Sequence, residues 1–312
     1  MNLLLVNHNV TNCGVYQYGK RVASIISKSK NLTVRYLEIE NREDLQKEVE
    51  IFKPQVIVYN HLTGTMPWVD ATYVDQLRNL GIKQGTIVHN VAYSTFFDFY
   101  LHQDPNYQTN GNNYRLLRPL FEYDNTKNLN PNILKIGSFG FGFASKQYEA
   151  LCACVRDNFY RTTFPVELRL HLTHSYFCEN TRDIETIKFV ANRIINNPNI
   201  RLNITTDFIS DDELLSFLAG NDLNIFFYQK YSSYNGISSS IDYALSVKRP
   251  IAICRSNMFS HIWNTQPSIC AEDNSLKEII NNGFSPLEKY YNAWSHENFI
   301  KVFEENINNI IQ

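Results

Sequence analysis

"NGISSSIDYALSVKRPIAICRSNMFSHI", Asn235 to Ile262, holds the two elements from which the fold is read. Glycine and three serines open an apolar-periodic segment that stops near Pro250. Ile251-Ala252-Ile253-Cys254 then reads as a buried strand. The serines raise a further point. One hydroxyl at an N-cap is enough to accept a hydrogen bond from a free backbone N–H. Ser238, Ser239 and Ser240 supply a surplus, which suits an anion held by the free N–H groups and the positive end of a helix dipole. A capped helix packed against a strand explains the same residues, and both readings stand at this point.

The helix-then-strand unit recurs along the chain. Upstream, strands are predicted at Leu3 to Val6, Leu32 to Ile39, Val56 to Asn60 and Thr86 to His89. They alternate with helices at Val15 to Ser29, Glu43 to Phe52 and Asp70 to Leu80. Residues 91–130, with "HQDPNYQTNGNN" and "DNTKNLNPN", are rich in turn formers and read as long loops and a linker. A second series begins at "ILKIGSFGF", with helices at Ser145 to Asn158, Arg182 to Ile195 and Asp211 to Leu218. Its strands fall at Val166 to Thr173, around Leu202, and at Leu223 to Tyr228. Ser275 to Asn282 and a polar-faced helix from Pro286 to Ile311 end the chain. Strand and helix alternating in this way predict an α/β protein of two Rossmann-like, doubly wound domains facing a cleft. The expected boundaries are residues 1–125, 126–285 and a last helix, 286–312, crossing back to the first domain.

Several strand ends carry glycine or polar residues. Gly14 and Gly19 flank the helix after the first strand, and Gly137, Gly140 and Gly142 precede Lys146. Neither group forms G-x-G-x-x-G or a Walker A loop, which argues against NAD-type and P-loop binding. Glycine ahead of a helix still lets backbone approach a ligand, and a lysine there can meet a phosphate. The alternative for Lys146 is a tight turn with a solvated side chain. His61 and His89 each follow a β-like run, and a histidine in such a place is commonly structural. His89 is the stronger functional candidate. No D-x-D, H-E-x-x-H, G-x-S-x-G or paired C-x-x-C occurs, so nothing marks a metal, zinc or hydrolase site.

Composition agrees with a globular protein. The chain has 312 residues, 44% hydrophobic and 19% charged, enough for roughly two domains of about 150 residues each. Lys+Arg 29 against Asp+Glu 31 gives a net charge of −2, without the basic surplus that holds nucleic acid. Cys13, Cys152, Cys154, Cys178, Cys254 and Cys270 lie mostly in apolar runs and read as reduced core thiols. The N-terminus lacks a basic signal region, and no run approaches the ~18 apolar residues of a membrane span. A cytoplasmic protein is the expectation.

The order "CGVYQYG", "TIVHN", "KIGSFGF…SK", "ITTDFISDDEL", "YNGISSSIDYALSVKRPIAI" and "AWSHENF" resembles the retaining glycosyltransferases of the GT-B fold, family 4. The resemblance covers nearly the whole chain. It implies transfer of a hexose-like sugar from a nucleotide diphosphate donor to an acceptor hydroxyl, with no metal and no cofactor besides the donor. Gly14, His89 and Lys146 occupy the places of the family's donor-facing glycine, sugar-side histidine and diphosphate-binding cation. The other expected donor contacts are Gly137, Ser138, Asp207, Phe208, Asn235, Gly236, Ile237, Ser238, Ser239, Ser240 and Arg255. Asp207 and Phe208 would flank the base. The family's two glutamates, seven residues apart, are missing: Asn235 and Tyr243 stand at their positions, and Asp242 is the nearest carboxylate. His89 and Asp242 are therefore the expected catalytic pair. The implied partners are the nucleotide sugar and a saccharide, lipid-linked or protein acceptor. Peripheral membrane contact fits such an acceptor, and no nucleic acid is expected. A non-catalytic nucleotide-sugar-binding module, a GT-B epimerase or a DNA-modifying sugar transferase are the alternatives.

Overall fold

The computed structural model describes residues 1–89, 93–176, 182–230 and 236–312, and the chain divides into two compact units. The first comprises Met1–Pro119, a short piece with Gly236 and Ile237, and Ala293–Gln312. Within Met1–Pro119 run β1 (Asn2–Asn7), α1 (Gly14–Ile26), β2 (Thr33–Glu38), α2 (Arg42–Phe52), β3 (Val56–Tyr59), α3 (Ala71–Arg78), β4 (Lys83–Val88), β5 (Phe99–His102) and β6 (Asn113–Arg115). The second unit runs through β7 (Leu134–Phe141), α4 (Tyr148–Phe159), β8 (Val166–Thr173), α5 (Arg182–Ile194), β9 (Ile200–Thr205), α6 (Asp211–Ala219), β10 (Leu223–Phe226), α7 (Ser240–Ser246), β11 (Ile251–Ile253), α8 (Leu276–Asn282) and α9 (Glu288–Ala293). α10 (His296–Ile311) returns to the first unit.

Both sheets are parallel, as strand–helix alternation dictates. The first has the order β2-β1-β3-β4-β5-β6 and the second β11-β10-β7-β8-β9. In each, the direction of winding reverses once: between β1 and β3, and between β7 and β10. Open α/β sheets bind ligands beyond the strand ends at such a switch point.

The run Leu3-Leu4-Leu5-Val6 is uninterrupted because helices cover both faces of β1. Leu3 and Leu5 pack with Val22 and Ile26 of α1 and with Phe299, Phe303 and Ile307 of α10. Leu4 and Val6 point the other way, to Leu45 and Val49 of α2 and Val74 and Leu77 of α3. Val56 and Val58 share the first cluster, Ile57 and Tyr59 the second. Polar caps start α2 and α3: Asn41 accepts from the Asp44 N–H and Asp70 from the Tyr73 N–H. In the second unit Ser210 with Glu213, and Ser275 with Glu278, form reciprocal capping boxes.

The structure departs from the sequence reading in several places. Residues 91–130 are not all loop and linker, because β5 and β6 extend the first sheet there. They escape a pattern search because each is short and set among turn formers. β5 is held by shape: a Cβ at Gly85 would lie 2.2 Å from the Phe99 ring, so glycine on β4 is what admits that ring. The first boundary falls at 119/120 rather than 125/126. The Phe121 N–H donates to Ser246 Oγ at 2.8 Å, and Asn125 donates to the Val247 carbonyl at 2.7 Å, which ties this stretch to the second unit. The helix expected over 286–311 is broken, since Ser295 caps a fresh helix by accepting from the Asn298 N–H. The segment before it stays with the second unit, where Lys248 lies over the Tyr291 ring and Tyr290 meets Thr265. Among the described residues no helix is long and apolar enough to cross a membrane. The described cysteines are free, and burial pushes the thiols of Cys152 and Cys254 up to about 12. Cys178 lies outside the described residues.

Candidate functional site

In the first unit the switch point is built from asparagines. Asn60, just past β3, donates through Nδ2 to Asn7 Oδ1 at 2.8 Å and to the Val15 carbonyl at 2.7 Å. Asn7, the last residue of β1, donates to the Tyr16 carbonyl at 3.0 Å. These amides tie the first turn of α1 to the strand ends, and Gly19 makes room for them. A Cβ at Gly19 would sit 2.4 Å from Asn60 Nδ2 and 2.9 Å from Asn7 Nδ2. Gly19→Ala is therefore expected to cost about 1–3 kcal/mol by overpacking, seen as a lower thermal midpoint. Gly14, the glycine singled out in the sequence, is the exposed first residue of α1. Gly14→Ala should change stability by no more than about 0.5 kcal/mol.

His89 follows β4 and is half-buried beside this pair. Its Nε2 is 2.7 Å from Asn60 Oδ1, its Nδ1 is 3.1 Å from Gln103 Nε2, and the Tyr18 ring meets it edge-on. Burial lowers the imidazole pKa to about 3, helped by the charges of Arg118, His8 and His61. His8 and His61 follow β1 and β3, and burial lowers each to about 4. His8 Nδ1 accepts from the Val10 N–H at 3.1 Å. His8 Nε2 and His61 Nε2 are buried without a hydrogen-bond partner among the described residues. The three imidazoles of the first-unit site are thus held neutral near pH 7.

In the second unit the switch point is cationic. Gly140, next to last in β7, has φ +146, where a side chain would be strained and where a Cβ would lie 2.4 Å from Lys146 Nζ. Glycine lets the lysine fold back over its own strand. Lys146 is only 8% exposed, and its ammonium lies 4.7 Å from the centre of the Tyr228 ring just beyond β10. No carboxylate or hydrogen-bond acceptor answers it among the described residues. The neighbouring loops are fastened together. The Gln229 N–H donates to the Ser145 carbonyl at 2.9 Å, Ser256 Oγ to the Gln229 carbonyl at 2.7 Å, and the Ser238 N–H to the Met258 carbonyl at 3.0 Å. The ends of β7, β10 and β11 and the serine segment therefore form one surface.

The three serines are not all caps. Ser239 occupies the N-cap position of α7, but its side chain makes no capping bond. Ser238 and Ser240 are buried with their hydroxyls 2.7 Å apart, and Ser238 Oγ accepts from the Ser240 N–H at 3.4 Å. Asp242 is fully buried in the first turn of α7, so its carboxylate is closed off from solvent. Tyr243, at a family glutamate position, packs on Phe121 and Phe139 and donates its hydroxyl to Asp211 at 2.7 Å. Asn235 lies outside the described residues. Gly236 and Ile237 group with the first unit, and a Cβ on Gly236 would come 2.9 Å from the His89 carbonyl oxygen.

The remaining expected contacts are scattered. Gly137 is a packing glycine, because a Cβ there would overlap Asn221 Nδ2 at 1.9 Å. Ser138 beside it is buried in β7. Arg255 is exposed and already matched, with Nη2 2.6 Å from Asp273 Oδ2. Asp207 and Phe208 follow β9 at the sheet edge, and Phe208, 55% exposed, offers an open aromatic face. Sequence reasoning missed Asn7, Asn60, Gln103, Arg118 and Tyr228. A polar residue closing an apolar run, as in "LLLVN" and "VIVYN", was the available signal for the two asparagines. Among the described residues no group of three or more His, Cys, Asp or Glu is placed to hold a metal ion.

Comparison of whole structures finds glycosyltransferases of the GT-B fold. HepE from Anabaena, solved with UDP-glucose, superposes with a TM-score of 0.65 at 10% identity, over 99% of this chain and 100% of that one. A glycosyltransferase from Rickettsia africae gives 0.66 at 11% identity, over 100% and 98%. An α-glucosyltransferase in complex with UDP-glucose and DNA containing an abasic site gives 0.61 at 10%, over 100% and 99%. The chain has the GT-B fold, two parallel α/β units as read from the sequence. No protein-family model matches it, and no curated sequence does.

Proposed function

We propose that the protein is a glycosyltransferase that moves a hexose-like sugar from a nucleoside diphosphate to an acceptor hydroxyl, with retention and without a metal. The observation that carries this reading is Lys146: a lysine only 8% exposed at the switch point of the second unit, with its ammonium over the Tyr228 ring and no carboxylate against it among the described residues. A buried cation is costly unless something anionic completes it. A diphosphate does so, and UDP or UDP-glucose is what structures of the same fold hold.

The difficult step is departure of the nucleoside diphosphate, as negative charge grows on its leaving oxygen. Lys146 stabilises that charge in a preorganised setting, beside the backbone of Ser239, because the N–H groups of Ser238 and Ser240 already donate to the Met258 carbonyl and to Ser238 Oγ. Phe208 and Asp207 receive the base. In the first unit, His89 with Asn60 and Asn7 offers neutral donors and acceptors of the kind that hold sugar hydroxyls. Asp242 works through the helix that carries the serines. The acceptor is a saccharide, lipid-linked or protein hydroxyl. One structural neighbour holds DNA, but a net charge of −2 lacks the cationic surplus that phosphate binding draws on.

Calorimetry with UDP tests the reading. A charge-assisted contact is worth roughly 1.5–3 kcal/mol, so Lys146→Ala should weaken UDP binding by about 10- to 100-fold. Ser239→Ala should do less, because the backbone N–H groups remain. EDTA should leave the wild-type isotherm unchanged. Loss of binding in EDTA would put the phosphate charge on a metal, and an unaffected Lys146→Ala would put the anion elsewhere.

A further inference from the structure

We propose that Gln103, gripped by the buried Arg118, is a positioning residue that fixes His89 as a neutral imidazole bearing its proton on Nε2. The assignment follows from donors and acceptors that have no alternative. Arg118 can only donate, and its Nη1 reaches the Gln103 carbonyl at 2.9 Å and Gln103 Oε1 at 3.0 Å. The side-chain oxygen of Gln103 is thereby identified. Its Nε2 then faces the Val88 carbonyl and His89 Nδ1, both at 3.1 Å. An amide nitrogen there can only donate, so Nδ1 must offer its lone pair.

The other side of the ring gives the same answer. Asn60 Nδ2 donates to the Val15 carbonyl, a pure acceptor, which leaves Asn60 Oδ1 to receive the proton on His89 Nε2. Asn7 Oδ1 accepts from Asn60 and from the His8 N–H at 3.0 Å, and Asn7 Nδ2 donates to the Tyr36 hydroxyl at 2.9 Å. Tyr36 donates to Glu38 at 2.9 Å. The bonds run head to tail from a guanidinium to a carboxylate, so each polarises the next in the same direction.

A proton on Nδ1 would face a donor and break the chain. The charges near the ring work the same way: Arg118 directly, His8 and His61 whenever protonated. Tyr18 adds an uncharged ring edge, and Glu38 stands at the far end of the chain. On the reading of the first unit as the sugar side, on which this part rests, His89 acts by orientation and moves no proton during transfer.

Long-range proton–nitrogen NMR of the imidazoles in the full chain tests the assignment. Wild-type His89 should show the Nε2–H tautomer and no titration between pH 7.5 and 5. Gln103→Leu removes the donor facing Nδ1, so the Nδ1–H tautomer should appear beside the Nε2–H form. Gln103→Glu should charge it, because a carboxylate facing Nδ1 demands a proton there. An Nδ1–H tautomer, a wild-type midpoint near 6.5, or a Gln103→Leu spectrum like wild type would each overturn the proposal. The wild-type spectrum alone can do so if the variants fail to fold. Donor turnover is read separately. With turnover present, Gln103→Glu should lower kcat more than it raises donor KM. The tautomer standing without any turnover would sink the transferase reading and leave the positioning role.

Discussion

Acidification from pH 7 to pH 5 should remove about 2 kcal/mol of folding free energy for each of His8, His61 and His89, on the order of 5 kcal/mol together. Desolvation by burial is the largest cause of all three shifts, from 6.5 down to about 4, 4 and 3. Below pH 6.5 the unfolded chain binds protons at these rings while the folded chain does not, and every such proton favours unfolding. The stability they contribute is therefore complete above pH 6.5 and drains away as the pH falls toward the folded values. A domain of ordinary stability holds 5–15 kcal/mol, so the loss brings the protein near its threshold. Asp70 and Asp273, held below the usual carboxylate range by hydrogen bonds first and by arginine charges as well, respond only further down. Urea unfolding at pH 7, 6 and 5 measures the slope. His8→Asn or His61→Gln should each flatten it by about a third. A slope shared unchanged by wild type and both variants would refute the assignment.

His89→Ala should lower donor turnover by about 100-fold, the scale of losing one preorganised polar contact to a transition state. The side chain occupies the hydrogen bonds of both Asn60 and Gln103, so its removal frees two amides beside the switch point. The loss should appear in kcat, with far-UV circular dichroism unchanged. His61→Ala should lose less, because its ring packs on Phe96 and Phe97 and shares no hydrogen bond with Asn60 or Gln103. Turnover of His89→Ala equal to wild type would remove its part in the reaction.

The α/β fold was readable because it rests on period and burial. "LLLV" and "VIVY" can only be strands covered on both faces, and Ser-x-x-Glu marks helix starts without reference to the rest of the chain. Short edge strands are another matter. β5 and β6 owe their pairing to neighbours far along the chain, such as Gly85 yielding to Phe99, and no local pattern encodes that. The site divides in the same way. His89 and Lys146 stand at strand ends and could be picked out by position. What gives each its character comes from elsewhere: Gln103 and Asn60 for the histidine, Gly140 and Tyr228 for the lysine. The serines are a further case. Their crowding at a helix start suggested a cap or an anion site, and the structure adds that two of the three are buried and bonded to each other.

α10 carries Phe299, Phe303 and Ile307 into the same cluster as Leu3 and Leu5 of β1. During synthesis the amino-terminal strands therefore leave the ribosome long before the residues that cover them. The second unit, whose last piece ends at Asn292, emerges complete while one face of the first sheet has α1 alone for cover and still lacks α10. At ordinary elongation rates of about 5–20 residues per second, the stretch from β6 at Arg115 to α10 at His296 keeps that face waiting about 10–40 s for its last cover. The unit begun first is the last to close, and a chain released early would lose its first half rather than its second.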